Sequence, residues 1–404
     1  MTAVAGLVAA CGRAIAPSGA SPTASAASAT SASLSSTAPT LTPSAAVTVA
    51  PSISPVPSPV ASPDIAALRR KLARMLLVGF RGMELTQAMP ITSALAGGLG
   101  GVILFDHDQT TGKLRNISSP AQLARLTASI RSTAGGPVLI AADQEGGKVS
   151  RLNPAQGFPA TRTQATIGAT GDTDQALAAG RAMGATMAAA GIDLDLAPVV
   201  DMDINPTNPA IGALGRSFSA KEAVVASMAA AEIRGLHEHG IRSAIKHFPG
   251  LGSASANTDF AKADVTATWT EVELAPYRTL IELGLPDAIM SANILDRKLD
   301  PTYPASLSSR MVDGMLRRQL GWQGVVVTDD LGAVAITSSY AQAEAIALAI
   351  EAGNDLLTFA NQASYVDDLV DRLLETMVGL VTSGRIPASR IDASIARLDA
   401  LAGH

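Results

Sequence analysis

Eight short apolar segments alternate with longer stretches of helical character, and this alternation constrains the fold more than any other feature. The helical stretches, such as 175–191 and 221–240, are Ala-rich and amphipathic. Strands that are each followed by a helix form a parallel sheet, and eight such units close into a barrel. We therefore predict an α/β fold with a single (β/α)8 barrel of the TIM type. The predicted strands are 76–80, 101–105, 137–143, 192–201, 241–248, 288–294, 324–330 and 354–359.

A doubly wound parallel sheet is the alternative fold. Its dinucleotide-binding form requires a GxGxxG pattern directly after an early strand. The early glycines of this chain, at positions 97, 98, 100 and 101, precede a predicted strand instead. The barrel is therefore the preferred interpretation, and no nucleotide cofactor is predicted.

Composition and charge exclude several classes of protein and site. The formal net charge is −5 and no basic block is present, so a nucleic-acid partner is not expected. Cys11 is the single cysteine, which excludes an internal disulfide and a Cys-based zinc site. His237 and His239 are two positions apart in a predicted helix and face different sides. We expect neither a metal nor another cofactor, and no segment after Cys11 has the roughly 18 apolar residues of a membrane span.

The N-terminal part of the chain differs in composition from the rest. Residues 12–62 are mostly Ala, Ser, Thr and Pro, with Arg13 as the single charged residue, and predict a disordered stalk. Residues 1–11 resemble a partial lipoprotein signal whose lipobox ends at Cys11, the predicted lipidation site. We therefore expect a protein anchored by lipid to the outer face of a bacterial cell membrane. A cytoplasmic protein is the alternative, because no Lys or Arg precedes Cys11.

The folded domain is predicted to span residues 63–404. Its start is marked by Ser62, Pro63 and Asp64, which predict an N-cap serine, a proline at the first helical position and an acid in the first turn. No sequence feature indicates self-association, and a monomer is expected.

Polar side chains stand at the ends of five consecutive predicted strands. Active sites of such barrels lie at the carboxyl ends of the strands, so we expect these residues to meet at one mouth. The mixture of carboxylates and cations, with Arg216 nearby, suits a polyhydroxylated ligand and a carboxylate nucleophile. The strand-end residues are Asp143 and Glu145, Asp201 and Asp203, Lys246 and His247, Ser291 and Asn293, and Asp329 and Asp330.

Four segments resemble glycoside hydrolase family 3, in the order typical of that family. They are DQEGGKVSRL (143–152), NPAIGALGRSF (208–218), KHFPG (246–250) and VVVTDDLGA (325–333). The resemblance extends from about residue 64 to 404 and is closest to the single-barrel, NagZ-type branch. It implies a retaining, exo-acting hydrolase that removes terminal β-N-acetylglucosamine, as in the recycling of peptidoglycan fragments.

The resemblance also implies roles for individual residues. Asp329 matches the catalytic nucleophile. Asp143, Arg216, Lys246 and His247 match residues that hold the hydroxyls of the terminal sugar, and Arg151 and Met290 are further candidates for the same wall. Asp330, next to the nucleophile, is interpreted as the cap of the following helix.

This chain departs from the family pattern after the KHFPG segment. The NagZ-type branch carries an Asp-Ser-His unit there, whose Asp-His dyad is the general acid/base, whereas this chain has Asn257, Thr258 and Asp259. Asp259 is the first candidate for proton transfer, with a pKa expected to be raised by partial burial and by the charge of Asp329. Glu145 or a water molecule is the alternative. Asn293 is a second departure, because many relatives have His there.

Other functions remain open at this level. An attenuated or β-glucosidase-type family 3 enzyme, a phosphorylase, and a sugar-binding lipoprotein without turnover would each explain the departures. A barrel aldolase would use Lys246 as a Schiff base, although the adjacent His247 and the Asp329 segment argue against it.

Overall fold

The computed structural model describes residues 64–403, which form a closed parallel barrel. The predicted stalk, the lipobox and Cys11 lie outside the described residues. All eight predicted segments contain a barrel strand, so the predicted fold class is confirmed. The strands are β1 Leu76–Gly79, β2 Gly101–Ile103, β3 Leu139–Ala142, β4 Leu194–Asp195, β5 Arg242–Phe248, β6 Ala288–Ser291, β7 Val325–Thr328 and β8 Leu357–Phe359.

Each strand pairs in parallel with its neighbour in the sequence, and β1 pairs with β8. The ring closes between β7 and β8, where Val327 bridges Leu356 and the Thr328 N–H donates to the Leu356 carbonyl at 2.9 Å. Because all strands run in one direction, their carboxyl ends share one face of the barrel.

Helices and short turns of helix fill the connections between the strands. The α-helices are α1 Ile65–Ala73, α2 Pro90–Ala96, α3 Pro120–Thr133, α4 Gln164–Gly168, α5 Thr173–Ala189, α6 Glu222–His237, α7 Ala275–Glu282, α8 Val334–Thr337, α9 Gln342–Ala352, α10 Leu369–Thr382 and α11 Ala388–Ala402. A π-helix spans Arg310–Gln319. Short 3-10 helices cover Pro154–Gln156, Gly212–Leu214, Glu271–Leu274 and Ala305–Leu307. No helix between residues 64 and 403 has the length and apolar content needed to cross a membrane.

The start of α1 corrects one prediction. Asp64 is the N-cap, and its carboxylate accepts hydrogen bonds from the backbone N–H groups of Ala66 and Ala67 at 2.9 and 3.1 Å. The prediction of Ser62 as the N-cap was therefore wrong. As the N-cap, the Asp64 carboxylate accepts two backbone N–H groups that have no partner within the helix. It could not do so from a position inside the first turn.

The Ala-rich helices α5 and α6 pack at unusually short range, which explains their composition. A Cβ atom on Gly180 would lie 2.1 Å from the Glu232 carbonyl oxygen, and one on Gly235 would lie 2.5 Å from the Leu177 carbonyl oxygen. Both positions therefore require glycine. Of this pair, α6 packs against β5, the strand that carries Lys246 and His247.

The fourth strand is shorter than its predicted segment. Regular pairing covers only Leu194–Asp195, and the chain then continues as an irregular segment in which Val199 bridges Lys246. The segment remains buried as far as Asp201. This path places the Asp201 carboxylate beside His247, as the site geometry shows.

Candidate active site

A pocket of about 460 Å³ opens at the carboxyl ends of the strands. Small-molecule sites in proteins typically have volumes of about 300–1,000 Å³. All eight residues predicted for catalysis or substrate binding line this pocket, although they come from five different strands or the loops after them. They are Asp143, Arg151, Arg216, Lys246, His247, Asp259, Met290 and Asp329.

Lys246 is the centre of a charged wall on one side of the pocket. Its side chain is 2% exposed, and its Nζ lies 2.7 Å from Asp143 Oδ1 and 2.6 Å from Glu145 Oε1. Burial alone would lower the pKa of the ammonium, but the two carboxylates raise it above its usual value. The charged wall consists of Asp106, Arg151, Asp143, Lys246, Glu145 and Arg216.

Glu145 is held on this wall by two cations. Arg216 donates from Nε and NH2 to the two carboxylate oxygens at 2.6 and 2.7 Å, and Lys246 adds the third contact. Burial opposes ionisation, yet the charges of Arg216 and Lys246 hold the pKa of Glu145 down at about 2. A carboxyl group that stays ionised at neutral pH cannot donate a proton, so Glu145 is unsuited to be the general acid.

Arg151 connects the other end of the wall. Its NH2 lies 3.2 Å from Asp143 Oδ2 and its NH1 lies 3.7 Å from Asp106 Oδ1, while its guanidinium lies over the Phe105 ring at 5.2 Å. Although burial opposes it, the cations Lys246 and Arg151 keep the pKa of Asp143 well below its usual range. Three acids therefore alternate with three bases, and their charges cancel along the wall.

His247 is oriented by a buried carboxylate. Its Nδ1 lies 2.7 Å from Asp201 Oδ2, and Asp201 Oδ1 accepts the backbone N–H of Leu251 at 2.7 Å. The imidazole lines the pocket. Asp201 thus fixes the direction of the ring and anchors the base of the loop that follows β5.

Asp329 stands directly after β7 with a partly exposed side chain. Its backbone N–H donates to the Ser291 carbonyl at 2.9 Å, and its Oδ1 accepts the Asp330 N–H at 2.8 Å. Among residues 64–403, no Lys or Arg lies within ion-pair distance of this carboxylate. Since β7 is four strands from β3 in a ring of eight, Asp329 lies on the side of the barrel opposite Asp143.

Asp259 reaches the same pocket from the loop after β5. Its N–H donates to Asn257 Oδ1 at 2.9 Å, and the Ala335 N–H donates to the Thr258 carbonyl at 3.1 Å. The loop is thus bonded to the segment that follows Asp329. Partial burial and then the charge of Asp329 raise the pKa of Asp259 above its usual value. A carboxyl group with a raised pKa beside a second carboxyl group is the arrangement of an acid paired with a nucleophile.

The sequence model of the Glycosyl hydrolase family 3 N terminal domain matches residues 67–401. This chain belongs to glycosyl hydrolase family 3. The match covers almost the whole barrel, and the predicted membership is confirmed.

Named relatives and solved structures agree with this membership. A beta-hexosaminidase of Xanthomonas axonopodis pv. citri is 36% identical over 326 residues, which cover 77% of this chain and 92% of that protein. A beta-hexosaminidase of Nitrosomonas eutropha is 34% identical over 284 residues, or 68% of this chain and 77% of that protein.

Two solved structures share the fold at comparable identity. A family 3 beta-N-acetylglucosaminidase of Paenibacillus sp. FPU-7 aligns with a TM-score of 0.75 and 35% identity, over 83% of this chain and 62% of that one. A beta-N-acetylhexosaminidase of Beutenbergia cavernae aligns with a TM-score of 0.72 and 30% identity, over 83% of this chain and 98% of that one. This family 3 chain thus spans about three fifths of the Paenibacillus chain and nearly all of the Beutenbergia chain.

Not all strand-end residues of this family 3 barrel face its pocket. Asp201, Asp203, Ser291 and Asn293 are absent from the pocket lining. Asn293 is structural: its Nδ2 donates to the Asp330 carbonyl at 2.7 Å, and its Oδ1 accepts from Ser306 at 2.6 Å. The expectation that every strand-end side chain converges on one mouth was therefore wrong for these four. Asp201, Ser291 and Asn293 instead bond to His247, Asn354 and Ser306 beside the pocket.

Asp330 has a different role from the one predicted. Helix α8 begins at Val334 with Ala333 as its N-cap residue, so Asp330 does not cap it. Its Oδ1 instead accepts the N–H groups of Gly332 at 2.9 Å and Ala360 at 3.0 Å, which joins the loops after β7 and β8. Burial, with smaller contributions from the charges of Asp329 and Asp259, raises the pKa of Asp330 to about 7.

Sequence reasoning missed pocket residues at two other strand ends. Asp106 and His107 follow β2, and Gln362 lies shortly after β8. The same signal, a polar residue after an apolar strand, marks all three in the sequence. No cluster of three or more His, Cys, Asp or Glu side chains that could hold a metal occurs within residues 64–403.

Proposed function

We propose that this family 3 enzyme is a retaining, exo-acting β-N-acetylhexosaminidase that removes terminal β-linked N-acetylglucosamine, with peptidoglycan fragments as its substrates. One observation carries the proposal: Asp259 and Asp329 line the same pocket, where partial burial and then the charge of Asp329 raise the pKa of Asp259. The names of the relatives supply the sugar, since beta-hexosaminidases match over most of their length.

In the first chemical step the two carboxyl groups have different roles, nucleophile and general acid. Asp329, which has no cationic partner among the described residues, attacks the anomeric carbon as the bond to the leaving oxygen breaks. Asp259 donates its proton to that oxygen. In the substrate complex the two carboxyl groups should lie about 5–5.5 Å apart, the separation of retaining enzymes.

The second step restores the enzyme. A water molecule attacks the glycosyl-enzyme ester while Asp259, now ionised, accepts one of its protons, and the carboxylate of Asp329 is released. Asp259 therefore has to be protonated in the first step and ionised in the second. A pKa raised above the usual aspartate value favours the protonated form that the first step requires.

The charged wall and His247 hold the terminal sugar. Hydroxyls can donate to Asp143 and accept from Lys246 and Arg216, which are pre-oriented by their mutual ion pairs. Asp201 contacts the Nδ1 edge of the His247 ring, so the opposite, Nε2 edge is the one that can bond to the sugar. Met290, from β6, adds an apolar surface to the pocket.

Hydrolysis of 4-nitrophenyl β-N-acetylglucosaminide tests the proposal, with proton NMR to identify the anomer formed first. We expect release of nitrophenol and initial formation of the β-anomer. The matching β-glucoside should react more slowly, and added phosphate should not form a sugar phosphate. Sugar binding without nitrophenol release would instead identify a binding protein, and an α-anomer would contradict the retaining mechanism.

We also propose that the barrel is a monomer, tethered to the outer face of the cell membrane through a lipid on Cys11. The anchor rests on the sequence alone, that is on the lipobox ending at Cys11 and the composition of residues 12–62. These residues lie outside the described part of the chain. Palmitate labelling and membrane fractionation of the wild type and of Cys11→Ser test it. Equal distribution of the two proteins would contradict the anchor, and light scattering of the barrel would determine its oligomeric state.

A further inference from the structure

Phe260 is the exception among the phenylalanines of this chain. Six of the seven are buried, with between 0% and 6% of their surface exposed, whereas Phe260 is 63% exposed. Burial of a phenyl group stabilises a fold, so an exposed one is unfavourable unless it has another role. Single exposed apolar side chains are common, so exposure by itself does not indicate a function. The position of Phe260 supplies the second observation.

Phe260 follows Asp259 at the tip of the loop after β5. The N–H groups of Phe260 and Ala261 both donate to the Asn257 carbonyl, at 3.1 and 2.9 Å. The same tip is bonded to the segment after Asp329 through the Thr258 carbonyl. The backbone that carries Phe260 is therefore a hydrogen-bonded turn that is anchored next to the nucleophile.

The loops after β5 and β2 are two of the loops that line the pocket. Residues 257–259 line it from the loop after β5, and Phe105 to His107 line it from the loop after β2. These strands are three positions apart in a ring of eight, an angle of roughly 135° around the barrel axis. The loop that carries Phe260 therefore borders the pocket, and Phe260 is the first residue after the part of that loop that lines it.

We propose that Phe260 is a platform for the leaving group and stacks against its sugar ring. The inference rests on the proposed function, in which Asp259 protonates the glycosidic oxygen. That oxygen is bonded directly to the leaving sugar, so the ring must lie next to Asp259 and within reach of the adjacent side chain. Residues 250–259 otherwise offer only small or polar side chains apart from Leu251, which is buried. An aromatic ring contacts the C–H face of a pyranose through dispersion and apolar burial.

The test compares two substrates of the full-length protein. N,N′-diacetylchitobiose has a sugar ring as its leaving group, whereas trifluoroethyl β-N-acetylglucosaminide has none. We expect Phe260→Ala to lower kcat/KM for the disaccharide by roughly three- to tenfold and to change it less than twofold for the trifluoroethyl glycoside. Phe260→Trp should retain the activity on the disaccharide. Hydrolysis of the glycosyl-enzyme should be unchanged, because the leaving group has already departed.

Ile204→Ala is the matched control. Ile204 is an exposed apolar side chain, 40% accessible, in the loop after β4. Like Phe260 it is outside the pocket lining, but it is not adjacent in sequence to Asp259. Its replacement should affect neither substrate. Three results in Phe260→Ala would each overturn the proposal that Phe260 is a platform. They are equal losses on both substrates, no loss on the disaccharide, and a lower melting temperature. Wild-type protein that cleaves neither substrate would overturn the proposed function and the platform with it.

Discussion

On the charged wall, Glu145 is 1% exposed and is held by Arg216 and Lys246, whereas Asp329 and Asp259 have no cation within ion-pair distance among the described residues. The pKa of Glu145 is lowered to about 2, and that of Asp259 is raised. Both regions are rich in carboxylates, yet the pKa of Glu145 is shifted towards the ionised form and that of Asp259 towards the protonated form. The presence or absence of a cationic partner therefore separates binding carboxylates from reacting ones.

The largest effect should come from Asp329→Asn. The amide preserves the shape of the side chain but cannot form the glycosyl-enzyme, so kcat/KM should fall by about 10³-fold or more while sugar binding persists. Steady-state kinetics and titration with N-acetylglucosamine measure the two properties. Asp330→Asn is the control, because an amide oxygen can still accept the two N–H groups that Asp330 binds. Activity within about tenfold of wild type in Asp329→Asn would remove Asp329 from the mechanism.

Glu145→Gln breaks the charged wall. Removal of one buried charge leaves Arg216 and Lys246 with excess positive charge, and we expect the free energy of unfolding to fall by about 3 kcal/mol. Urea denaturation at neutral pH measures this loss. The exposed pair Arg181–Glu238 supplies the control, because Glu238→Gln should cause no measurable change.

The stability lost in Glu145→Gln should also depend on pH, and the pKa shift gives the direction. The pKa of Glu145 is lowered from 4.5 to about 2 by folding, so its stabilisation is complete above pH 4.5 and is lost as the pH falls towards 2. The difference in stability between wild type and Glu145→Gln should narrow over that range. A constant difference would show that the lost energy is not that of an ion pair.

Asp259→Asn tests the proposed role of Asp259 as the general acid. Proton donation matters most for a poor leaving group, so cleavage of a disaccharide should slow by about 10²-fold or more. The first step on a nitrophenyl glycoside should slow much less, and added azide should restore its turnover because azide attacks without a base. Equal slowing of both substrates without azide rescue would assign proton transfer to another group, such as a water molecule.

Asn257→Asp should produce the smallest effect and tests the electrostatics alone. An Asp carboxylate can accept the Asp259 N–H as the Asn257 amide oxygen does, so the turn is preserved. The added negative charge should raise the pKa of Asp259 further. Because a general acid must be protonated, the alkaline limb of kcat/KM should move up by roughly 0.5–1 pH unit. Asn257→Ala, which loses the hydrogen bond without adding charge, should reduce activity without that upward shift.

Local patterns explain why so much of this site could be predicted. The predicted strand segments 241–248 and 324–330 contain β5 and β7, and parallel strands bring their ends to one face whatever the loops do. The sequence therefore predicts the position of three pocket residues, Lys246, His247 and Asp329. Asp330 and Asn293 could not be assigned in this way, because which neighbouring backbone groups they bond depends on the loops after β7 and β8 and on Ser306.

By itself, the sequence determined the barrel, the pocket face and the departure from the family's acid/base unit at Asn257 to Asp259, because periodicity and strand order are local properties of the chain. Tertiary structure decided which carboxylates are neutralised. Glu145 and Arg216 are 71 residues apart in sequence and 2.6 Å apart in space, and Asp201 and His247 are 46 residues apart in sequence and 2.7 Å apart in space. Ion pairing and burial act over a few ångströms between distant segments, and these contacts set the protonation states on which catalysis depends.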